Sequence, residues 1–205
     1  MYLKVATLLT VCFAFGNFET EIVNAKNNTT ATTVKVNTQT SSIEWIGKKI
    51  LGQHKGVVNI KSGELSIKGE VITGGNFIID MTSINCTDIE DADYDKKLEK
   101  HLRSTDFFNV DEFPTATLKI TKVLKYLNKE NEYKLFADLN IKGITKSISF
   151  PATFKKVGNI FEGNASFTID RSQWDVRYGS TSFFDGLGDK AIKNEIEFNV
   201  KIASY

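Results

Sequence analysis

Few side chains in this 205-residue sequence have the chemistry of catalysts or metal ligands. The chain holds two histidines and two cysteines, and the candidates that could gather at one place are His54, His101, Cys86, Asp88, Asp91 and Asp93. Imidazole, thiolate and carboxylate groups bind metals, but no two of these residues have a ligand spacing such as His-x-x-x-His or Cys-x-x-Cys. The sequence therefore predicts no metal site and no bound cofactor.

Covalent catalysis has equally little support. No Gly-x-Ser-x-Gly motif is present, and Cys86 has no basic neighbour in the sequence that would activate its thiol. The Gly-x-Gly-x-x-Gly and P-loop patterns, which cradle phosphates, are absent as well. The acids Glu90, Asp91 and Asp93 fit a solvated helix start better than a catalytic pair. The sequence predicts a protein that is not an enzyme.

The charges of the chain nearly cancel, with 26 Lys and Arg against 25 Asp and Glu and a formal net charge of +1. A nucleic-acid-binding protein needs a clustered basic surface, so this balance argues against a nucleic-acid partner. Hydrophobic residues make up 41% and charged residues 25%, which is typical of a folded globular domain. The high count of 15 Phe beside only 2 Pro favours β structure.

Residues 1–25 are predicted to be a secretory signal peptide. Lys4 precedes an uncharged apolar run over residues 5–16, which is too short for a bilayer span of about 20 residues. Small side chains favour a cut after Ala25, and a cut after Gly16 is the alternative. The prediction is a secreted protein without a membrane span in its mature chain.

Residues 26–40 are polar and low in complexity, and are predicted to be a flexible lead-in. The remainder, residues 41–205, is predicted to be one domain, because it shows neither a fixed-period repeat nor a second compositional regime. Cys12 lies in the predicted signal peptide, which leaves Cys86 alone in the mature chain. No internal disulfide is therefore expected.

From residue 42 onward, apolar and polar residues alternate with a period of two, the pattern of half-buried strands. In the last such segment Ile196, Phe198 and Val200 alternate with Glu197 and Asn199. The predicted strands cover residues 42–48, 53–60, 63–68, 75–81, 115–124, 133–141, 148–154, 161–169 and 196–202. Turns are predicted between them, including residues 61–63 and 73–75.

Eight or nine antiparallel strands must each bury one apolar face. A closed barrel does so without leaving edges, and a two-sheet sandwich is the competing arrangement. The segment from Asp91 to Arg103 is acidic first and basic later and has an apolar stripe of Tyr94, Leu98 and Leu102, which predicts a short helix. The expected fold class is all-β with one short helix, in a single antiparallel eight- to nine-stranded barrel.

An eight-stranded barrel either fills with side chains or leaves room for one small ligand, and the pattern leaves both open. Large residues on the inward parity and aromatic residues before the last strand are the candidates for its lining and mouth. They are Trp45, His54, Val58, Phe77, Ile79, Leu118, Leu135, Phe150, Phe154, Phe167, Trp174, Tyr178 and Phe183.

A series of short strings resembles the YceI-like family of secreted, polyisoprenoid-binding bacterial proteins. In chain order they lie at residues 42–45 (SIEW), 52–56 (GQHKG), 74–84 (GGNFIIDMTSI), 98–104 (LEKHLRS), 106–110 (DFFNV), 113–116 (FPTA), 139–146 (LNIKGITK), 170–174 (DRSQW), 178–180 (YGS) and 187–192 (LGDKAI). The resemblance covers about residues 41–203. It implies a lipocalin-like barrel, a bacterial periplasmic or secreted location, and a long apolar chain inside the barrel: an isoprenoid, an isoprenoid quinone, or a fatty acyl or amide chain.

Two other hypotheses stay open at this point. A barrel packed solid would suit a structural or stress-related interaction protein. A lipid- or quinone-modifying enzyme would use His54, His101 or Cys86. The residues also leave open whether the chain forms a homodimer.

Overall fold

The computed structural model describes residues 20–21 and 30–205. The signal peptide predicted for residues 1–25 lies outside the described residues, apart from a two-residue strand, β1 (Thr20–Glu21). The backbone of this strand pairs with Lys125 and Tyr126.

Nine further strands and one α-helix follow in the described part of the chain. They are β2 (Thr32–Lys35), β3 (Ser42–Lys49), β4 (Gln53–Lys68), β5 (Val71–Cys86), α1 (Ala92–Arg103), β6 (Thr115–Tyr126), β7 (Glu132–Ile141), β8 (Ile144–Val157), β9 (Ile160–Asp170) and β10 (Ile192–Ala203). Two short 3-10 helices, Arg171–Trp174 and Gly188–Lys190, lie between β9 and β10.

The eight strands β3 to β10 close into an antiparallel barrel. Each pairs with its neighbour in sequence, and β10 pairs with β3 to close the ring. The closure confirms the predicted barrel and removes the free edges that a sandwich would leave. The extra strand β2 pairs with the second half of β4, where β3 no longer reaches.

Two predicted turns were wrong. Residues 53–68 form one continuous strand, β4, with a register shift after Ile60 where the sequence predicted a turn at residues 61–63. Residues 73–75 lie within β5, and the chain reverses instead at Gly69 and Glu70. Gly69 has a φ of +62°, a left-handed conformation that glycine adopts without strain.

The predicted helix is confirmed. The Asp91 carboxylate caps α1 by accepting the backbone N–H groups of Asp93 (3.0 Å) and Tyr94 (2.9 Å). Leu102 is buried, and the Glu99 carboxylate accepts the backbone N–H of Cys86 at 3.1 Å. These contacts seat the helix against the end of β5.

The structure differs from the sequence prediction in the polar segment at residues 26–40. Residues 32–35 of this segment form β2, and Val36 is 4% exposed. Backbone pairing with β4 orders residues 32–35 despite their polar composition, since ladder hydrogen bonds do not depend on side-chain type.

The buried side chains form two clusters, one toward each end of the barrel. The end that carries α1, which we call the helix end, includes Met81, Leu102 and Phe107. The opposite end, which we call the far end, includes Leu65, Ile72 and other residues brought together by β4, β5 and β7. Inward-facing residues that pack against both clusters connect them: Phe77, Leu118, Ile148 and Phe167.

Candidate functional site

An elongated cavity of about 410 Å³ occupies the inside of the barrel. Its wall includes Leu102 and Ile192 at the helix end and Leu65 and Ile72 toward the far end. On β10 alone the lining residues run from Ile192 to Ile202, which is about 33 Å of strand at roughly 3.3 Å per residue. The volume lies within the range of small-molecule pockets, roughly 300–1,000 Å³.

Most of the residues predicted to line the barrel lie on the cavity wall. The alternation of β strands explains this placement for all of them except Tyr178, which follows β9, because residues of one parity share the inner face. The predicted residues on the wall are Trp45, His54, Val58, Phe77, Ile79, Leu118, Leu135, Phe150, Phe154, Phe167 and Tyr178. Their contact with a ligand remains a prediction.

The other two predicted residues, Trp174 and Phe183, do not line the cavity. Trp174 lies in a 3-10 helix and is 1% exposed, and its indole Nε1–H donates to the backbone oxygen of Leu139 at 3.1 Å. This contact places the ring in the solid core of the helix end. Phe183 is 40% exposed and lies 5.1 Å from the guanidinium of Arg177, on the outer surface.

Stacked phenylalanines form the middle of the wall. The Phe150 and Phe167 rings have centroids 4.3 Å apart, and Phe198 continues the stack 5.6 Å from Phe167. These rings come from β8, β9 and β10, whose register sets Phe167 directly opposite Phe198. The wall there is flat and apolar, and it offers a long chain no hydrogen-bonding partner.

Most polar residues of the wall lie at the helix end, and Tyr133, Thr153 and Asn164 line the wall elsewhere. The wall at the helix end carries His54, His101, Tyr94 and Tyr178 together with five basic residues, Lys48, Lys49, Lys97, Arg171 and Lys193. Sequence reasoning missed the five basic residues as a group, because they come from β3, α1, β10 and the segment after β9. The spacing of Tyr94, Leu98 and His101 on one face of α1 was the available signal for the helix contribution.

The two histidines lie among aromatic rings. The His101 ring meets Tyr178 edge to face at 4.3 Å and Phe107 at 5.6 Å. His54 lies 6.0 Å from the ring of Tyr94, and its Nδ1 is 3.4 Å from an Asp88 carboxylate oxygen without hydrogen-bond geometry. Both imidazole rings line the cavity, while His54 Nδ1 and His101 Nε2 are themselves buried atoms.

Cys86 is buried at the end of β5 and is not part of the cavity wall. Burial, and to a lesser extent the carboxylates of Asp95, Glu99 and Asp88, raise the pKa of its thiol to about 12. A thiol with such a pKa is protonated at neutral pH and is a poor nucleophile. Cys86 therefore lacks the chemistry of a catalytic cysteine.

Among residues 20–21 and 30–205, no group of three or more His, Cys, Asp or Glu is arranged to hold a metal ion. In the same part of the chain, no helix has the length and apolar character needed to cross a bilayer.

Comparison with known proteins places this chain in a family. A family model described as a YceI-like domain matches residues 34–204. A UPF0312 protein of Vibrio parahaemolyticus is 33% identical over 140 residues, which span 64% of this chain and 69% of that protein. A second UPF0312 protein, from Vibrio campbellii, is 32% identical over 107 residues, which span 52% of its length.

Two solved structures share the fold. Burkholderia cenocepacia BcnA matches with a TM-score of 0.66 and 18% identity, covering 83% of this chain and 99% of that one. A polyisoprenoid binding domain from Saccharophagus degradans, implicated in plant cell wall breakdown, matches with a TM-score of 0.60 and 11% identity, covering 85% of this chain and 98% of that one. With the family model matching most of its length and the closed barrel in agreement, the chain belongs to the YceI-like domain family.

Proposed function

We propose that this protein binds one long apolar chain inside its barrel: an isoprenoid, an isoprenoid quinone, or a fatty acyl or amide chain. The observation that carries the proposal is the cavity of about 410 Å³, which is lined along the barrel by apolar side chains and has polar groups at the helix end. A slender molecule fits such a space lengthwise, with its polar end at the helix end.

The energetics of burial suit this class of ligand. Each CH₂ group transferred from water contributes on the order of 0.8 kcal/mol, so ten of them contribute about 8 kcal/mol before the costs of association. An aromatic wall without hydrogen-bonding groups favours the length and slenderness of the ligand over any one chain type. A cavity of this kind accepts several chains of similar width.

The fold family supports the same proposal. A structural neighbour with the same barrel is described as a polyisoprenoid binding domain, and the family model matches residues 34–204 of this chain. At 11% identity this neighbour supports the barrel fold and leaves the identity of the apolar ligand open.

We propose binding rather than catalysis. The Cys86 thiol is kept protonated by its surroundings, and the two histidines make no hydrogen bond to a serine, cysteine or tyrosine within the described chain. A nucleophile needs such a base within hydrogen-bonding reach. The alternative of a solid barrel in a structural protein requires that side chains fill the interior, whereas an open cavity lies there.

Native mass spectrometry of the protein, purified from its own host without detergent, tests the proposal. We expect an added mass that releases an apolar chain on organic extraction. A bare protein mass that stays unchanged after incubation with an isoprenoid quinone and with hexadecanamide would overturn the proposal.

A matched pair of variants on β9 locates the ligand. Ala165 lines the cavity between Ala152 of β8 and Val200 of β10. Ala165→Phe therefore places a ring in the lumen beside two small side chains. Thr168→Phe adds a similar ring at an exposed position of the same strand. We expect Ala165→Phe to lose the added mass and Thr168→Phe to keep it.

We also propose that residues 1–25 direct export to a bacterial periplasm or to the medium, supported by the uncharged run at residues 5–16. A cut after Ala25 would remove β1 but none of the eight barrel strands. N-terminal sequencing of the exported protein should begin at Lys26, or at Asn17 after the alternative cut. A cytoplasmic protein that begins at Met1 would contradict this proposal.

A further inference from the structure

The charged side chains on the cavity wall are all basic. They are Lys48, Lys49, Lys97, Arg171 and Lys193, and no Asp or Glu of the described chain lines the cavity, although the sequence holds 25 acids. All five lie at the helix end, because Lys48 and Lys49 end β3, Lys193 begins β10, Lys97 lies in α1 and Arg171 follows β9. The mouth at the helix end is therefore positively charged, while the rest of the wall is mainly apolar, with Tyr133, Thr153 and Asn164 as its polar residues.

Arg171 is the least exposed of these five cations. It is 1% exposed, and its guanidinium donates to three backbone oxygens: Nη1 to Val176 (2.7 Å), Nε to Lys193 (3.2 Å) and Nη2 to Ile192 (3.2 Å). Backbone oxygens satisfy three of its five N–H donors but do not neutralise its charge. In the described chain no carboxylate lies within 4.0 Å of the guanidinium, whereas buried charges are normally paired.

The carboxylate nearest to Arg171 in sequence is turned elsewhere. Asp170 accepts the backbone N–H and the hydroxyl of Ser172, at 2.9 and 2.6 Å. Burial lowers the pKa of Arg171, while the charge of Asp170 opposes this effect only as the smaller cause. The Phe107 ring lies 5.3 Å from the guanidinium carbon and stabilises the charge in part, but no carboxylate pairs with this cation on the cavity wall.

His101 adds an unpartnered polar group at the same end. Its Nε2 is a buried atom without a hydrogen-bond partner, whereas His54 Nδ1 lies 3.4 Å from an Asp88 carboxylate oxygen. Buried polar atoms in proteins are nearly always satisfied by protein or by bound molecules. The His101 ring lies on the cavity wall.

The acids around the mouth neutralise only part of its charge. Glu197 forms an ion pair with Lys48, and Asp88 lies beside His54. Lys49, Lys97 and Lys193 form no ion pair with any residue that the structure describes. Lys49, Lys97, Lys193 and Arg171 therefore carry positive charges that are not paired with an acid of the described chain.

We propose that the chain bound in the barrel ends in an anionic head group, a carboxylate or a phosphate, which lies at the helix end beside Arg171, Lys97 and Lys193. This inference rests on the proposed function, because it assigns the head of the same ligand. A neutral quinone or amide head would leave the buried cation without a counter-ion.

Ligands that share a sixteen-carbon chain and differ in their head group test the inference. The delipidated protein is titrated with hexadecanoate and hexadecyl phosphate below their micelle concentrations, and with hexadecanamide and hexadecanol below their solubility limits. Hydrogen bonds to a charged group are worth enough for a preference of about tenfold or more, so we expect one or both anions to bind at least that much more tightly than the amide and the alcohol. The ratio between carboxylate and phosphate shows which of the two heads the mouth prefers.

Two double variants of equal net charge separate local from general electrostatics. Lys97→Gln with Lys193→Gln removes two cations from the mouth, and Lys96→Gln with Lys201→Gln removes two exposed cations that do not line the cavity. Only the first pair should reduce the anion preference, by about threefold to tenfold, with hexadecanamide affinity unchanged. Arg171→Gln should reduce the preference further, provided that its circular dichroism spectrum is native.

The outcomes distinguish the two proposals. Equal affinity for the anions and the amide overturns the anionic head group and leaves the apolar-chain proposal standing. A preference that both double variants reduce equally overturns the assignment to this mouth. If none of the four compounds binds, the proposed function fails and this inference fails with it.

Discussion

At the residue scale, Cys86 carries the clearest consequence of burial. Its pKa rises from 9.0 to about 12, chiefly because burial disfavours the thiolate and secondly because Asp95, Glu99 and Asp88 lie nearby. A group whose folded pKa is raised stabilises the fold fully below its unfolded pKa. That stability is lost as the pH rises from about 9 toward 12, because the unfolded chain releases the proton first.

We therefore expect the free energy of unfolding to fall at alkaline pH. Between pH 8 and pH 10.5, Cys86 should account for a loss of about 2 kcal/mol, measured by urea denaturation. The Cys86→Ala variant should lack this component. Tyr133, whose pKa burial also raises, contributes equally to both proteins and cancels in the comparison. Parallel pH profiles for the two proteins would contradict the prediction.

Trp174 shows what residue patterns leave out. The alternation of inward and outward side chains was sufficient to place Phe150 and Phe167 on the cavity wall, because strand geometry alone decides it. Trp174 lies in a 3-10 helix, where no such parity exists, and its position depends on a hydrogen bond to Leu139, 35 residues away. Arg171 is likewise placed by backbone oxygens that only the folded chain assembles.

At the element scale, glycines in β4 and β5 explain why two turns were wrongly predicted. A Cβ atom at Gly63 would lie 3.0 Å from Phe77 and Val36, and one at Gly75 would lie 3.0 Å from the backbone oxygen of Glu64. These glycines permit close packing inside strands rather than chain reversal. Sequence alone does not separate the two uses of glycine, because the neighbour that excludes the side chain lies on another strand.

Gly56 is the tightest of these contacts and supports a stability prediction. A Cβ atom there would lie 1.9 Å from the backbone oxygen of Asn85 and 2.6 Å from the Trp45 ring, so Gly56→Ala must push β4 away from β5. We expect a loss of about 3 kcal/mol or more in unfolding free energy, by denaturant titration.

Gly47 on β3 provides the matched control. It lies in the adjacent strand, and a Cβ atom there meets nothing within 4 Å. Gly47→Ala should change the unfolding free energy by less than about 1 kcal/mol, and it reduces the freedom of the unfolded chain. Similar losses in the two variants would show that the close approach of β4 and β5 does not constrain residue 56.

The start of α1 carries the next prediction at this scale. Asp91 accepts two backbone N–H groups that otherwise have no partner, so Asp91→Ala should cost the helix about 1 kcal/mol. Asp93→Ala removes a charge from the same turn without removing the cap, and should cost less. Hydrogen exchange of the α1 amides should be faster in Asp91→Ala than in Asp93→Ala, and equal rates would contradict the capping role.

At the scale of the whole molecule, barrel closure followed from the sequence but the cavity did not. Period-two strands that must all bury one face favour a closed sheet, and the helix between β5 and β6 was visible in its charge order. The same inward residues would also fit a barrel filled by side chains. Whether the interior is open or filled depends on the radius of the barrel and on the orientation of the Phe150, Phe167 and Phe198 rings. These quantities are properties of the assembled sheet.

An open interior makes the stability of the whole barrel depend on its ligand. The cavity of about 410 Å³ leaves its lining without packing partners on one side, which weakens the empty protein. A ligand at a hundred times its Kd adds about 2.7 kcal/mol to the folded state. For a chain of this size each kcal/mol moves the melting temperature by roughly 2–4 °C.

We therefore expect the extracted protein to melt about 5–10 °C below the same protein resaturated with hexadecanamide, by differential scanning calorimetry. Ala165→Phe fills the lumen in advance, so its melting temperature should not respond to the added chain, while Thr168→Phe should respond as the parent does. If hexadecanamide raises the melting temperature of Ala165→Phe as much as that of the parent, the chain binds outside the barrel. If it shifts neither protein, the cavity does not hold this chain.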